Sequence, residues 1–156
     1  AILLLVIVYA GAVNWAIGGQ ELSEQQVAGL ISAGAGEQAE STEGADVNEM
    51  LRRSFGNDVP DVSQLFRIAA VSNGEIEGSP YARFTLLDAQ GPLTLFVVNG
   101  VEGIENLETD RVRKDYSFGK LDGESCVSWT ESNRTFLLMA DRSNEQLISL
   151  ADQIRE

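Results

Sequence analysis

Apolar and polar positions along this chain follow three successive regimes. The first, "AILLLVIVYAGAVNWAI" (Ala1 to Ile17), carries no charge, and Asn14 is its one strongly polar side chain. As a helix it makes roughly 25 Å, close to the ~30 Å of a hydrocarbon core and about twice the length of an ordinary strand. This predicts a transmembrane anchor over residues 1–19, with Leu3, Leu4, Leu5, Ile7 and Tyr9 in the membrane and Trp15 at its interface. Ala12 and Ala16 have the spacing for close helix packing. Ala10-Gly11-Ala12 also reads as a small-residue cleavage site, so a signal peptide is the rival reading. The anchor is preferred, with residues ahead of Ala1 completing the span.

The second regime, residues 20–63, mixes short helical patterns with an acidic tether. Ser23 is placed to cap a helix, with Gln26 reaching back and Leu22 stapled against Val27, and this helix is expected to fade near Ile31. "SAGAGEQAESTEGA" (Ser32 to Ala45) has too little bulky apolar surface to fold and reads as a flexible tether. Asp46 with Glu49 suggests another cap, after which Val47, Met50, Leu51 and Phe55 share one helical face. "GNDVPDVS" then turns the chain into its body.

From Gln64 the period changes from helix to strand, opening a domain over 64–156. "QLFRIAAVS" is expected to end at the Asn73-Gly74 turn, and "YARFTLLD" to turn through Ala89-Gln90-Gly91 into "PLTLFVV". Asn99 to Lys114 is a charged connection without a period. "YSFGKL", "ESCVSWT" and "RTFLLMA" follow, separated by Asp122-Gly123 and Glu131-Ser132-Asn133. Ser143 and Gln146 form a capping box for a closing helix whose apolar stripe is Leu147, Ile148, Leu150, Ala151 and Ile154. Sequential strands with tight turns give an antiparallel sheet, and the helix must cover one of its faces. The predicted fold is α+β, with Phe84, Phe96, Trp129, Phe136, Leu147 and Leu150 as its core.

Charge narrows the function. The net charge is −13 and there is no histidine, so nucleic acid is repelled. After Ile17 the first cation is Arg52, while Glu21, Glu24, Glu37, Glu40, Glu43, Asp46 and Glu49 precede it. Such a flank stays out of the cytoplasm, which places the body on the outer side of the membrane. Ser125 and Cys126 have no imidazole to act as base, and a lone Cys without His builds no structural zinc site. Asp58 and Asp61 lack calcium-loop spacing, and "GVEGIENLETD" reads as a solvated acidic loop. No phosphate-binding glycine pattern or haem attachment motif is present. The expectation is a protein that is not an enzyme, with no cofactor and no small-molecule substrate.

"CVSWTESNRTFLLMADRSNEQLISLADQI" resembles the end of the extracytoplasmic domain of bacterial transmembrane anti-sigma factors. The similarity rests on Val127, Trp129, Thr135, Phe136, Ala140, Asp141, Leu147 and Ala151, with Gly78, Pro80 and Ala82 matching upstream. It covers about Ser54 to Ile154, and it implies a bacterial inner-membrane protein with its domain in the periplasm. Members of that family place a sigma-binding segment, often with His and Cys zinc ligands, ahead of the span, and this chain shows none. Two roles follow. The first is an accessory subunit of a larger membrane complex, respiratory or photosynthetic for example, whose partners are other membrane subunits and the bilayer. The second is the outer sensor half of an anti-sigma-type signalling protein.

A Glu-specific protease should cut the folded chain first at Glu37, Glu40 or Glu43, leaving a compact C-terminal fragment. Protection of these sites in the isolated protein, read by mass spectrometry, counts against the tether.

Overall fold

The computed structural model describes residues 21–36, 52 and 62–156. The predicted anchor, most of the tether and the helical pattern from Asp46 to Phe55 lie outside the described residues, save Arg52, which is helical and exposed. No helix among the described residues is long and apolar enough to cross a membrane.

Seven antiparallel strands form one sheet. They are β1 (Arg67–Ile76), β2 (Ser79–Asp88), β3 (Gly91–Asn99), β4 (Glu108–Thr109), β5 (Ser117–Leu121), β6 (Glu124–Glu131) and β7 (Arg134–Ala140). The spatial order is β1-β2-β3-β7-β6-β5-β4, so two meanders meet where β3 pairs with β7. Helix α1 (Glu24–Gly36) lies ahead of the sheet in sequence and α2 (Asn144–Arg155) follows it. The α+β class with an antiparallel sheet and a closing helix is therefore the observed one.

Turn chemistry explains the register. Glu77-Gly78, Asp122-Gly123 and Ser132-Asn133 all have positive φ at both central positions, the backbone that two-residue hairpins need. Asn73-Gly74 is a correction: the expected turn stays inside β1, opposite Ala82 and Tyr81. A Cβ on Gly74 would come within 2.8 Å of the Tyr81 hydroxyl, so this glycine makes room for a ring and the chain turns four residues later, at Glu77-Gly78. The connection after Asn99 also has more order than its pattern suggests. Ile104 forms a parallel bridge with Leu22, and Glu108–Thr109 adds a short edge strand.

Both helices start on reciprocal caps. The Gln26 backbone N–H donates to Ser23 Oγ at 3.2 Å, and the Ser23 N–H donates to Gln26 Oε1 at 2.9 Å. Ser143 and Gln146 repeat the arrangement for α2. Helix α1 does not fade near Ile31 but runs to Gly36, into the stretch read as tether. Ala-rich sequence favours helix wherever one side can be buried, and here Val27 and Leu30 are buried.

The sheet is covered on both faces, where the sequence pattern suggested one. On the first face Phe84, Leu95, Val127, Trp129, Phe136 and Leu138 pack with Leu147, Ala151 and Ile154 of α2. Trp129 stacks on Phe136 with ring centroids 5.1 Å apart. Leu150 is only partly buried against this core. Phe96 lies on the opposite face with Val98, Cys126, Leu137 and Met139, beneath Leu22, Val27 and Leu30. The core thus draws on residues well ahead of Gln64.

Trp129→Ala should cost about 3–5 kcal/mol, because it removes the aromatic centre of the first face. Cys126→Ser should cost about 1–3 kcal/mol, since it places a hydroxyl in a fully covered apolar layer. Thermal unfolding followed by circular dichroism checks both, and a Cys126→Ser protein as stable as the parent would mean that the second face is open.

Candidate functional site

Polar chemistry concentrates at one end of the sheet, in the sequence "DRVRKDY" between β4 and β5. Asp110 organises it. Its Oδ1 accepts from the N–H groups of Val112 at 2.9 Å and Arg113 at 2.7 Å. The backbone then closes on itself, with Asp110 N–H donating to the Tyr116 carbonyl and Tyr116 N–H to that of Arg113, both at 2.9 Å. A short Asp side chain can make such local bonds at little entropic cost, and they set the shape of the loop from within.

Tyr116 ties this loop to α2. Its ring is fully buried and meets Trp129 edge-on at 6.0 Å. Its hydroxyl donates to Asp152 Oδ1 at 2.6 Å. Arg113 and Arg155 each place a guanidinium 5.2 Å from the ring centroid. Arg113 pairs with Asp152, while Arg155 reaches Asp115 at 2.5 Å and Glu131 at 3.7 Å. The hydrogen bond from Tyr116 and the neighbouring Arg113 hold the Asp152 carboxyl below its ordinary range. The Arg155 bond does the same for Asp115, and burial pushes the Tyr116 phenol up. Every charge that touches the Tyr116 ring has a partner, so the arrangement clamps the end of α2.

The start of α2 is held by a second clamp. Arg142 donates to both Asp88 oxygens, at 2.6 and 2.5 Å, and to the Gly91 carbonyl at 3.1 Å. Its side chain is 6 % exposed, and its bonds depress the Asp88 carboxyl. A shallow groove of about 350 Å³ runs beside this pair and includes Leu150. A comparable groove of about 330 Å³ lies between α1 and the β5–β6 turn, with Val27, Ile31 and Leu121 in its walls and Lys120 and Asp122 at its rim.

On the second face Leu22 is bonded on both sides, its N–H to the Gly103 carbonyl at 2.9 Å and its carbonyl to the Glu105 N–H at 2.8 Å. Gln26 bonds Glu77 in the β1–β2 turn. Arg83 lies 5.6 Å above the Phe96 ring. Cys126 is buried, and desolvation pushes its thiol up to about 11, which makes it an apolar packing group and not a nucleophile. Among the described residues no group of three His, Cys, Asp or Glu side chains is placed to hold a metal ion.

Of the residues singled out in sequence, Phe84, Trp129, Phe136 and Leu147 meet in one layer and Phe96 sits in the other. Leu3, Leu4, Leu5, Ile7, Tyr9, Ala12, Trp15 and Ala16 lie outside the described residues. The Tyr116 clamp was missed. Its one visible signal was "RVRK", a dense cationic run in a chain of net charge −13. Compared with known protein families, with curated proteins and with solved structures, the chain matches none.

Asp88, Asp115 and Asp152 all have lowered values in the fold. Their contribution is complete above the ordinary carboxylate value of about 4 and is lost as pH falls through the depressed folded values. The melting temperature should therefore be flat from neutral pH to about 5 and drop below about 4. Asp88→Ala, which strands the buried Arg142 guanidinium, should cost about 3 kcal/mol at neutral pH and more than Asp152→Ala. Equal losses in the two variants would contradict this ranking.

Proposed function

We propose that the chain is a single-span, non-catalytic membrane protein whose extracytoplasmic domain binds other proteins, as an accessory subunit of a larger complex in a bacterial inner membrane. The observation that carries this reading is how the charge-free run meets the domain. Four residues separate Ile17 from Leu22, and Leu22 is already locked between Gly103 and Glu105. An extended chain spans at most roughly 18 Å over that interval. A helix ending near Ile17 would hold the second face of the sheet close to the bilayer surface, in reach of neighbouring subunits. A domain swinging on a long leader would have no such fixed neighbour. The clamps at both ends of α2 support a rigid binding surface, and rigid surfaces lose little entropy on association.

A second reading, the outer half of an anti-sigma-type signalling protein, is favoured by where its resemblance falls. Val127, Trp129, Phe136, Ala140, Leu147 and Ala151 form one contiguous layer. A cytoplasmic segment with His and Cys ligands ahead of Ala1 in the full-length chain would select that reading.

Alkaline carbonate washing of membranes should leave the protein in the pellet, and native electrophoresis after mild detergent should show it in a species much larger than 16.9 kDa. Release by carbonate, or migration as a lone monomer, would overturn the subunit reading.

A further inference from the structure

The loop from Asp110 to Tyr116 has an outer side that the Tyr116 clamp does not use. Val112 at its tip is 90 % exposed, and no other large apolar side chain among the described residues is comparably open. On either side of the Val112–Arg113 pair stand Arg111 and Lys114, both exposed. Neither makes a hydrogen bond or ion pair among the described residues, whereas Arg113 is held by Asp152. Three of the 11 cations of the chain thus fall within four residues, on a loop whose shape is set by Asp110. An exposed apolar tip between two unpaired cations, on a preformed loop in an acidic protein, has the make-up of an interface anchor.

We infer that Arg111, Val112 and Lys114 form a docking finger for a short acidic segment of a neighbouring protein subunit, with Val112 entering an apolar notch between the carboxylates. This rests on the subunit reading above and names the chemistry of one contact in it. Charge selects a protein segment over an anionic lipid surface. Glu102, Glu105 and Glu108 are exposed in the same connection, and Asp115 adjoins the finger. A broad anionic plane is repelled by a chain of net charge −13. A narrow segment can reach the tip and avoid the rest. Steering by the two cations and anchoring by the valine are complementary, since exposed charges act mainly on encounter and buried apolar groups on residence.

The test uses the full chain in its native membranes, with a photoreactive benzoylphenylalanine at position 112 and, as control, at exposed Gln153 on α2. Irradiation should give a protein adduct from position 112 and not from 153, mapped by mass spectrometry to an Asp- or Glu-rich segment of another subunit. Arg111→Glu with Lys114→Glu should lower the adduct yield about tenfold or more, and the neutral pair Arg111→Gln with Lys114→Gln should fall between. Both pairs are exposed changes outside the clamp, and an unchanged melting curve confirms that the fold is kept. An adduct with lipid alone, with a second copy of this chain, or with nothing would overturn the finger, as would full yield after charge reversal. If the chain still migrates within a large assembly in those cases, the finger alone fails. If it migrates as a lone monomer, the finger and the subunit reading fail together.

Discussion

A strand buried on both of its faces has to be covered twice, and every residue of β7 is buried. That constraint organises the molecule. The side chains of Phe136, Leu138 and Ala140 require α2, while Leu137 and Met139 require a second cover that the sheet itself cannot supply. Thr135 helps to supply it. Its hydroxyl donates to the Val101 carbonyl at 2.6 Å and accepts from the Gly103 N–H at 2.8 Å. The connection after β3 is thereby laid over the second face, Ile104 arrives beside Leu22, and α1 follows. One buried polar side chain, fully bonded, thus brings the start of the described chain onto the central strand.

Cations are scarce here, 11 against 24 carboxylates, and their placement follows a simple logic. Arg142 secures the first turn of α2 to the β2–β3 turn, and Arg113 and Arg155 secure its last turn around Tyr116. The apolar stripe of α2 seats it on the sheet, and side-chain bonds at its two ends restrict rotation and sliding that packing alone would allow. Burial of the Tyr116 ring beside Trp129 couples the electrostatic clamp to the aromatic core. Cutting either one loosens the other.

Local signals were legible in the sequence. Ser23 with Gln26, Ser143 with Gln146, and the Asp122-Gly123 turn depend on neighbours within a few residues, so their chemistry can be read without the fold. Asn73-Gly74 misled because a glycine suited to a turn is equally suited to a place where another side chain must lie flat, and Tyr81 comes from the next strand. The second cover had a sign that period-two reading passes over: "FLLMA" does not alternate, and continuous apolar runs mark strands buried on both sides. The Tyr116 clamp had almost none, since Tyr116 and Asp152 are far apart in sequence and only the sheet brings them together. The stretch from Ala1 to Gln20 adds nothing to this comparison, because it lies outside the described residues.

The strand order has a kinetic meaning. Strands β1 to β3 are joined by short turns, and so are β5 to β7, so each half can assemble from local contacts. The seam between them, from Asn99 with Arg134 to Thr94 with Met139, is the one long-range pairing in the sheet. Closing a loop of that size costs about 3 kcal/mol of chain entropy before any seam contact forms. This topology predicts that folding is limited by the docking of the two halves in one register. Helix α2 packs on β6 and β7, two strands of the same half, so that half can carry its helix into the docking. Closing the seam pairs the inner edges of both halves at once, because β3 and β7 stand next to each other at the middle of the strand order.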